Sequence, residues 1–271
     1  MKYQELSPPD YLKNHIRYFW TLESTSVDHL PKTFGPMADG CPGLMFQRSE
    51  EGTFYQHNKQ LPDILLYGQT TKYTALQLIG QVSTIGICCY PNALKSIFGL
   101  NADELTNTCV DLNLLPAAPS FRLSEKLMTA ASTADQIEII SSFLYIQIKK
   151  NQAPTDEITQ YALSQIIQSK GNIGLKELQK NLQLTERSFE RRFKQCVGIS
   201  PKLFSRICRF QSSLDQLRNN DYNKLSDIAF ENDYADQSHY IRVFKEFAGI
   251  SPFQYQKQSK EAGTNFSLIT K

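Results

Sequence analysis

Two stretches near the carboxyl end place cations and hydrogen-bonding side chains at helical spacing. In the first, Arg187, Glu190, Arg191 and Lys194 fall at i, i+3, i+4 and i+7, opposite Phe189, Phe193 and Val197. In the second, Ser238, Ile241, Arg242 and Lys245 share a face opposite Tyr240, Phe244 and Phe247. Arginine binds guanine bidentately, glutamine pairs with adenine, and serine or lysine holds phosphate. A helix anchored by its aromatic side would offer such a stripe to a DNA groove.

The elements that must position these stripes are themselves duplicated. Phe189–Pro201 and Tyr240–Pro252 align at an offset of 51, with Arg191/Arg242, Phe193/Phe244, Lys194/Lys245 and all of Gly-Ile-Ser-Pro identical. Leu175, Leu178 and Leu182 mark a short helix before the first stripe, and Thr185 caps the helix that carries it; Leu225, Ile228 and Ala229, then Asp236, repeat the plan. Gly198 and Gly249 suit left-handed C-caps, Ser200 and Ser251 suit N-caps, and Pro201 and Pro252 suit first helical positions. Pro201–Arg218 reads as one helix spanning ~26 Å at ~1.5 Å per residue, enough with its end turns to set two outward helices about one DNA turn apart.

Charge follows the repeat. The 271 residues carry a net +2, yet positions 171–260 hold 15 Lys and Arg against 10 Asp and Glu. The composition, 41% hydrophobic and 21% charged, fills the cores of two domains. No signal-like or membrane-spanning apolar run is present, so a cytoplasmic, nucleoid-associated protein without membrane contact is expected. The six cysteines lack CxxC spacing, and His15, His29 and His57 lack any ligand spacing, so neither a metal nor a cofactor is expected.

The first 90 residues read as strands: 15–23, 43–47, 53–57, 64–67, 73–79 and 82–90, short, aromatic or β-branched, with Gly68 and Gly86 as candidate bulges. This points to a mainly-β barrel or sandwich. Helices are expected from Pro91, over 102–107, 120–131 and 133–150. The last has two apolar stripes, one of them Ile139, Phe143 and Ile146, which would suit pairing with a second copy. Thr155 is read as the cap of the following helix. The expected organisation is therefore α+β: a β domain over 1–115, a helical linker with candidate dimerisation helices over 116–153, an all-α domain of two helix-turn-helix units joined by a long helix over 154–260, and a flexible tail over 261–271.

From about Gly171 to Tyr255 the chain resembles the AraC/XylS family of bacterial transcription regulators, through both Gly-Ile-Ser-Pro corners, Ile228-Ala229, Asp236-Gln-Ser-His239 and Arg-x-Phe-Lys at both sites. The resemblance implies that Arg187, Glu190, Arg191 and Lys194, with Gln237, Ser238, His239, Arg242 and Lys245, face double-stranded DNA. It also implies RNA polymerase as a partner. Gln179 stands where the family usually has alanine, and Asp233 where it has a turn glycine.

The matches at Tyr18–Leu22, Gly35–Gly40, Leu66–Gly68 and Gly86–Pro91 resemble the sensor-type domain of one branch of the family, implying a ligand-receiving domain and no enzyme. Trp20, Asp39, Tyr67 and Tyr73 are its candidate pocket residues. Two other readings remain open. In one the first domain binds a protein partner. In the other Cys41, the one loop cysteine, serves as a DNA-repair alkyl acceptor, although it lacks neighbouring cysteines in the chain.

Overall fold

A computed structural model describes residues 2–24, 31–48, 52–115, 122–151, 156–262 and 268–269. His29, Thr155 and residues 49–51 lie outside the described residues.

The amino-terminal half is built on two sheets. One runs in the order β1 (Lys2–Leu6), β2 (Ile16–Ser24), β9 (Val82–Cys89), β4 (Gly43–Gln47), β7 (Ile64–Tyr67), β10 (Cys109–Asp111). The other runs β11 (Leu268–Ile269), β3 (Lys32–Phe34), β8 (Leu76–Gly80), β5 (Gly52–Gln56), β6 (Lys59–Gln60). All pairings are antiparallel.

Alternation along the strands explains why the larger sheet is buried on both faces. Leu44 and Phe46, with Ile85, Ile87 and Cys89, pack beneath helices; Met45 and Val82 point the other way, to Phe54 and Leu78 of the second sheet. The strands left unread by sequence, β1, β3, β6, β10 and β11, are short or polar, and all but β3 are edge strands. Gly86 is not a bulge: it pairs in register with Trp20 and Met45, and a Cβ there would lie 2.3 Å from the Trp20 ring. The irregularity in β2 falls between Ile16 and Tyr18.

Helices α1 (Ala93–Phe98), α2 (Leu123–Thr129) and α3 (Thr133–Lys150) close the outer face of the larger sheet. Pro91 precedes the first helical residue by two, and Ala102–Leu105 is a 3-10 turn. Phe143, read as part of a stripe for a second copy, is 1% exposed and packs 6.4 Å from the Phe98 ring. Phe143 is therefore spent on its own domain, while Ile139 and Ile146 of the same stripe are half-buried. The residues of 261–271 that are described include a strand, since Leu268 and Ile269 pair with Phe34 and Thr33.

The carboxyl-terminal half comprises α4 (Glu157–Gln168), α5 (Leu175–Asn181), α6 (Glu186–Val197), α7 (Pro201–Asn219), α8 (Leu225–Glu231), α9 (Gln237–Ala248) and α10 (Pro252–Ala262). Asp156 is the cap of α4, accepting from the Thr159 amide at 3.1 Å. One core of Phe189, Phe193, Phe204, Phe210, Tyr240, Phe244 and Phe247 holds the helices together. Burial at about 25 cal/mol per Å2 of apolar surface makes this aromatic cluster the dominant stabilising feature of the half.

Candidate nucleic-acid interface

Helices α6 and α9 carry the two stripes, and their ends are set by local chemistry. Thr185 and Asp236 accept from the amides of Ser188 and His239, at 3.2 and 2.7 Å, satisfying N-terminal donors. Gly198 and Gly249 end the helices at φ +98° and +77°, a region where a side chain is strained. Ser200 and Ser251 then cap α7 and α10 through the amides of Leu203 and Gln254.

The turns explain both departures from the family pattern. Gln183 and Asp233, equivalent at an offset of 50, take φ +53° and +57°, so Asp233 adopts the left-handed conformation a glycine would supply. Its carboxylate lies 3.4 Å from Arg209. Gln179 donates to the Leu184 carbonyl at 2.9 Å, bracing the first turn with its amide. Between Tyr234, equivalent to Leu184 at an offset of 50, and Asp236, equivalent to Thr185 at 51, the second turn holds one extra residue, Ala235, whose N–H donates to Nδ1 of His239 at 3.3 Å. That bond, with Tyr234 at 5.5 Å from the imidazole, ties His239 to its own turn.

Arg187, Arg191, Lys194, Gln237, Ser238, Arg242 and Lys245 are exposed, and Glu190 is half-buried beside them. None of the five cations in this set makes an ion pair or side-chain hydrogen bond among the described residues. The scaffold arginines behave otherwise: Arg192 meets Asp156 at 3.8 Å, Arg206 meets Glu246 at 2.7 Å and lies over the Phe247 ring, and Arg218 donates to the Tyr255 hydroxyl at 2.8 Å. The arginines without an ion pair or side-chain hydrogen bond among the described residues, Arg187, Arg191 and Arg242, thus lie on two equivalent helix faces, where a polyanion could neutralise them with release of its counterions.

The amino-terminal half touches both units at their corners. Thr106 donates to the Gly198 carbonyl at 2.6 Å, and the Tyr73 ring lies where a Cβ on Gly249 would fall, 2.6 Å away. The Tyr73 amide donates to the Glu246 carbonyl at 3.1 Å. Ala38 is fully buried in the carboxyl-terminal core; its N–H donates to the Phe247 carbonyl at 3.2 Å and its carbonyl accepts from Gln211 at 2.7 Å.

Between the halves lies a cavity of about 910 Å3. Trp20, Asp39 and Tyr67 line it, joined by Arg17, Cys41 and Cys88 from the first half and Cys208 of α7. Tyr73 does not line it, being committed to Gly35 and Gly249. Arg17 donates to the Cys41 thiol sulfur at 3.0 Å, and this neighbour holds the guanidinium firmly charged. Burial pushes the Asp39 carboxyl up to about 6 and the Cys208 thiol up to about 12; Cys88 is pushed up by its hydrogen bond with Cys41 and then by burial. Arg17 and Cys88 were not read as site residues, and Cys41 was read only as an alkyl acceptor, because β2, a loop and β9 bring the three together from distant positions.

A family model described as a helix-turn-helix domain matches residues 178–258, and one described as a domain of unknown function (DUF6597) matches residues 4–111. An uncharacterized HTH-type transcriptional regulator of Haemophilus influenzae is 27% identical over 164 residues, 56% of this chain and 54% of that protein. The chain thus spans about half the length of this curated relative. Among solved structures, ToxT from Vibrio cholerae is 14% identical, with 88% of this chain and 98% of that one covered at a TM-score of 0.46. The AraC-like transcriptional activator CuxR is 10% identical, with 78% and 86% covered at 0.27. Over residues 178–258, where a Gly-Ile-Ser-Pro corner closes each of the two units, the chain is similar to the family model of a helix-turn-helix domain.

Proposed function

We propose that this protein is a sequence-specific transcription regulator that sets α6 and α9 in successive major grooves of one duplex and catalyses no reaction. The observation that carries the reading is the contrast in charge: the arginines that brace the scaffold are paired, and those on the two equivalent faces have no ion pair or side-chain hydrogen bond among the described residues. Arg191 and Arg242 are the base-reading candidates, with Arg187, Glu190, Lys194, Gln237, Ser238 and Lys245 around them; His239 serves the second turn first. Helix α7, 19 residues and ~28 Å at ~1.5 Å per residue, is the spacer.

The cavity between the halves favours a small-molecule effector over a protein partner, since a contact there reaches both domains at once. The buried Cys41 beside Arg17 does not favour the alkyl-acceptor reading. A homodimer through α3 would have to use the half-buried Ile139 and Ile146, since Phe143 is internal. No helix among the described residues is long and apolar enough to cross a membrane, and the reading places the protein on DNA in the cytoplasm alongside RNA polymerase.

A protein-binding DNA array is the test. The full chain should enrich one motif with two half-elements, and Arg191→Ala or Arg242→Ala should each weaken it by about 1–3 kcal/mol and relax preference in one half-element. Absence of any enriched motif would overturn the reading.

A further inference from the structure

The loop between β3 and β4 alternates two kinds of residue. Ala38 and Gly40 face the carboxyl-terminal half: Ala38 sits in its core, and a Cβ on Gly40 would lie 3.0 Å from the Phe204 ring. Asp39 and Cys41 face the other way, towards Cys88 on β9. The Asp39, Cys41 and Cys88 donor atoms all lie within 4.8 Å of one another. Both thiols are nearly buried, at 4% and 3% exposure. One Asp39 oxygen accepts from the Cys41 amide at 2.9 Å, which leaves the other, 4.0 Å from the Cys88 sulfur, turned towards the thiols.

We propose that Asp39, Cys41 and Cys88 form a binding site for a thiophilic divalent cation such as Zn2+ or Cd2+, and that the bound ion fixes the grip of this loop on the carboxyl-terminal domain. Tetrahedral metal–sulfur bonds of about 2.3 Å require donors roughly 3.5–4 Å apart, so a small inward shift closes the site. Two thiolates and a carboxylate carry three negative charges, and Arg17, 3.0 Å from the Cys41 sulfur, carries one positive charge. A divalent ion brings the total to zero, whereas a monovalent or trivalent ion would leave net charge in a largely buried place. The sulfur pair selects against Mg2+ and Ca2+, which prefer all-oxygen shells. On binding, two S–H bonds break, two metal–sulfur bonds form and two protons leave to solvent; nothing is oxidised. The fourth position opens on the cavity, whose lining includes the thiol of Cys208 of α7.

The site itself stands apart from the DNA-binding reading, and only its regulatory meaning rests on it. Reduced, chelator-treated full-length protein is titrated with Cd2+, reading thiolate-to-metal charge-transfer absorption. The expected result is one saturable equivalent, lost in Cys41→Ser and in Cys88→Ser, weakened at least about tenfold in Asp39→Asn, and kept in Cys109→Ser and Cys196→Ser. X-ray absorption of the wild-type complex should count two sulfur ligands, or three if Cys208 closes the shell, which guards against variants that merely misfold. No saturable band, or a band that survives in the Cys41→Ser/Cys88→Ser double variant, overturns the site. Metal should also slow amide exchange at Ala38, whose N–H is bonded to Phe247; unchanged exchange overturns the coupling to the loop. Metal uptake is read without DNA, so its failure leaves the DNA reading standing, and failure of the array leaves the site standing.

Discussion

At the scale of single residues, the tightest constraint in the amino-terminal half is the absence of a side chain at position 86. The Trp20 indole rests on that backbone, and a methyl there would sit 2.3 Å from the ring. Gly86→Ala should therefore cost about 1–3 kcal/mol, read as a fall in melting temperature, and the displaced indole should change the fluorescence of the one tryptophan. A bulge would have tolerated alanine without that spectral change. The sequence showed a glycine in a strand and left its reason ambiguous, because the partner ring comes from a strand more than 60 positions away. His239 was ambiguous in the same way: its place after the cap was legible, but the bond from Ala235 depends on one inserted turn residue.

At the scale of elements, both ends of α6 and α9 and the starts of α7 and α10 were legible, whereas the cap of α4 falls at Asp156 rather than Thr155. Caps, left-handed glycines and first-turn prolines act within a few residues of one another, so local chemistry decides them. The interdomain contacts were not, since they join residues such as Thr106 and Gly198 that nothing in the chain marks as partners. Thr106→Val removes the donor to the Gly198 carbonyl and should cost about 1 kcal/mol by chemical denaturation. Gly249→Ala should cost more, about 2 kcal/mol or above, because it meets both a left-handed φ and the Tyr73 ring. If Tyr73→Ala in the same chain recovers part of that loss, the ring rather than the backbone is the larger obstacle.

At the scale of the molecule, the two halves share a core residue, Ala38, although the sequence suggested a linker between them. Phe143, the centre of the expected dimer stripe on α3, proved internal for a related reason: amphipathic periodicity reports that a face is apolar, not which neighbour covers it. Ala38→Glu would put a charge at a fully buried position and should force the loop out of the carboxyl-terminal core. Calorimetry should then show two transitions in place of one, with an increased radius of gyration by small-angle scattering. A single unchanged transition would mean that the halves are not coupled through this loop.

The same two Gly-Ile-Ser-Pro corners that turn the chain are the points where the amino-terminal half takes hold, at Gly198 through Thr106 and at Gly249 through Tyr73. Pinned at both corners, α6 and α9 form a gauge of fixed length and phase. Each base pair inserted between half-elements rotates one groove by roughly 35° against the other, at 10–10.5 base pairs per turn. The full chain should therefore reject operators lengthened by a single base pair, while Thr106→Val/Tyr73→Ala should accept them, as gel-shift titration would show. Whatever occupies the first half would thus govern which operator lengths are readable, as well as how tightly one is held.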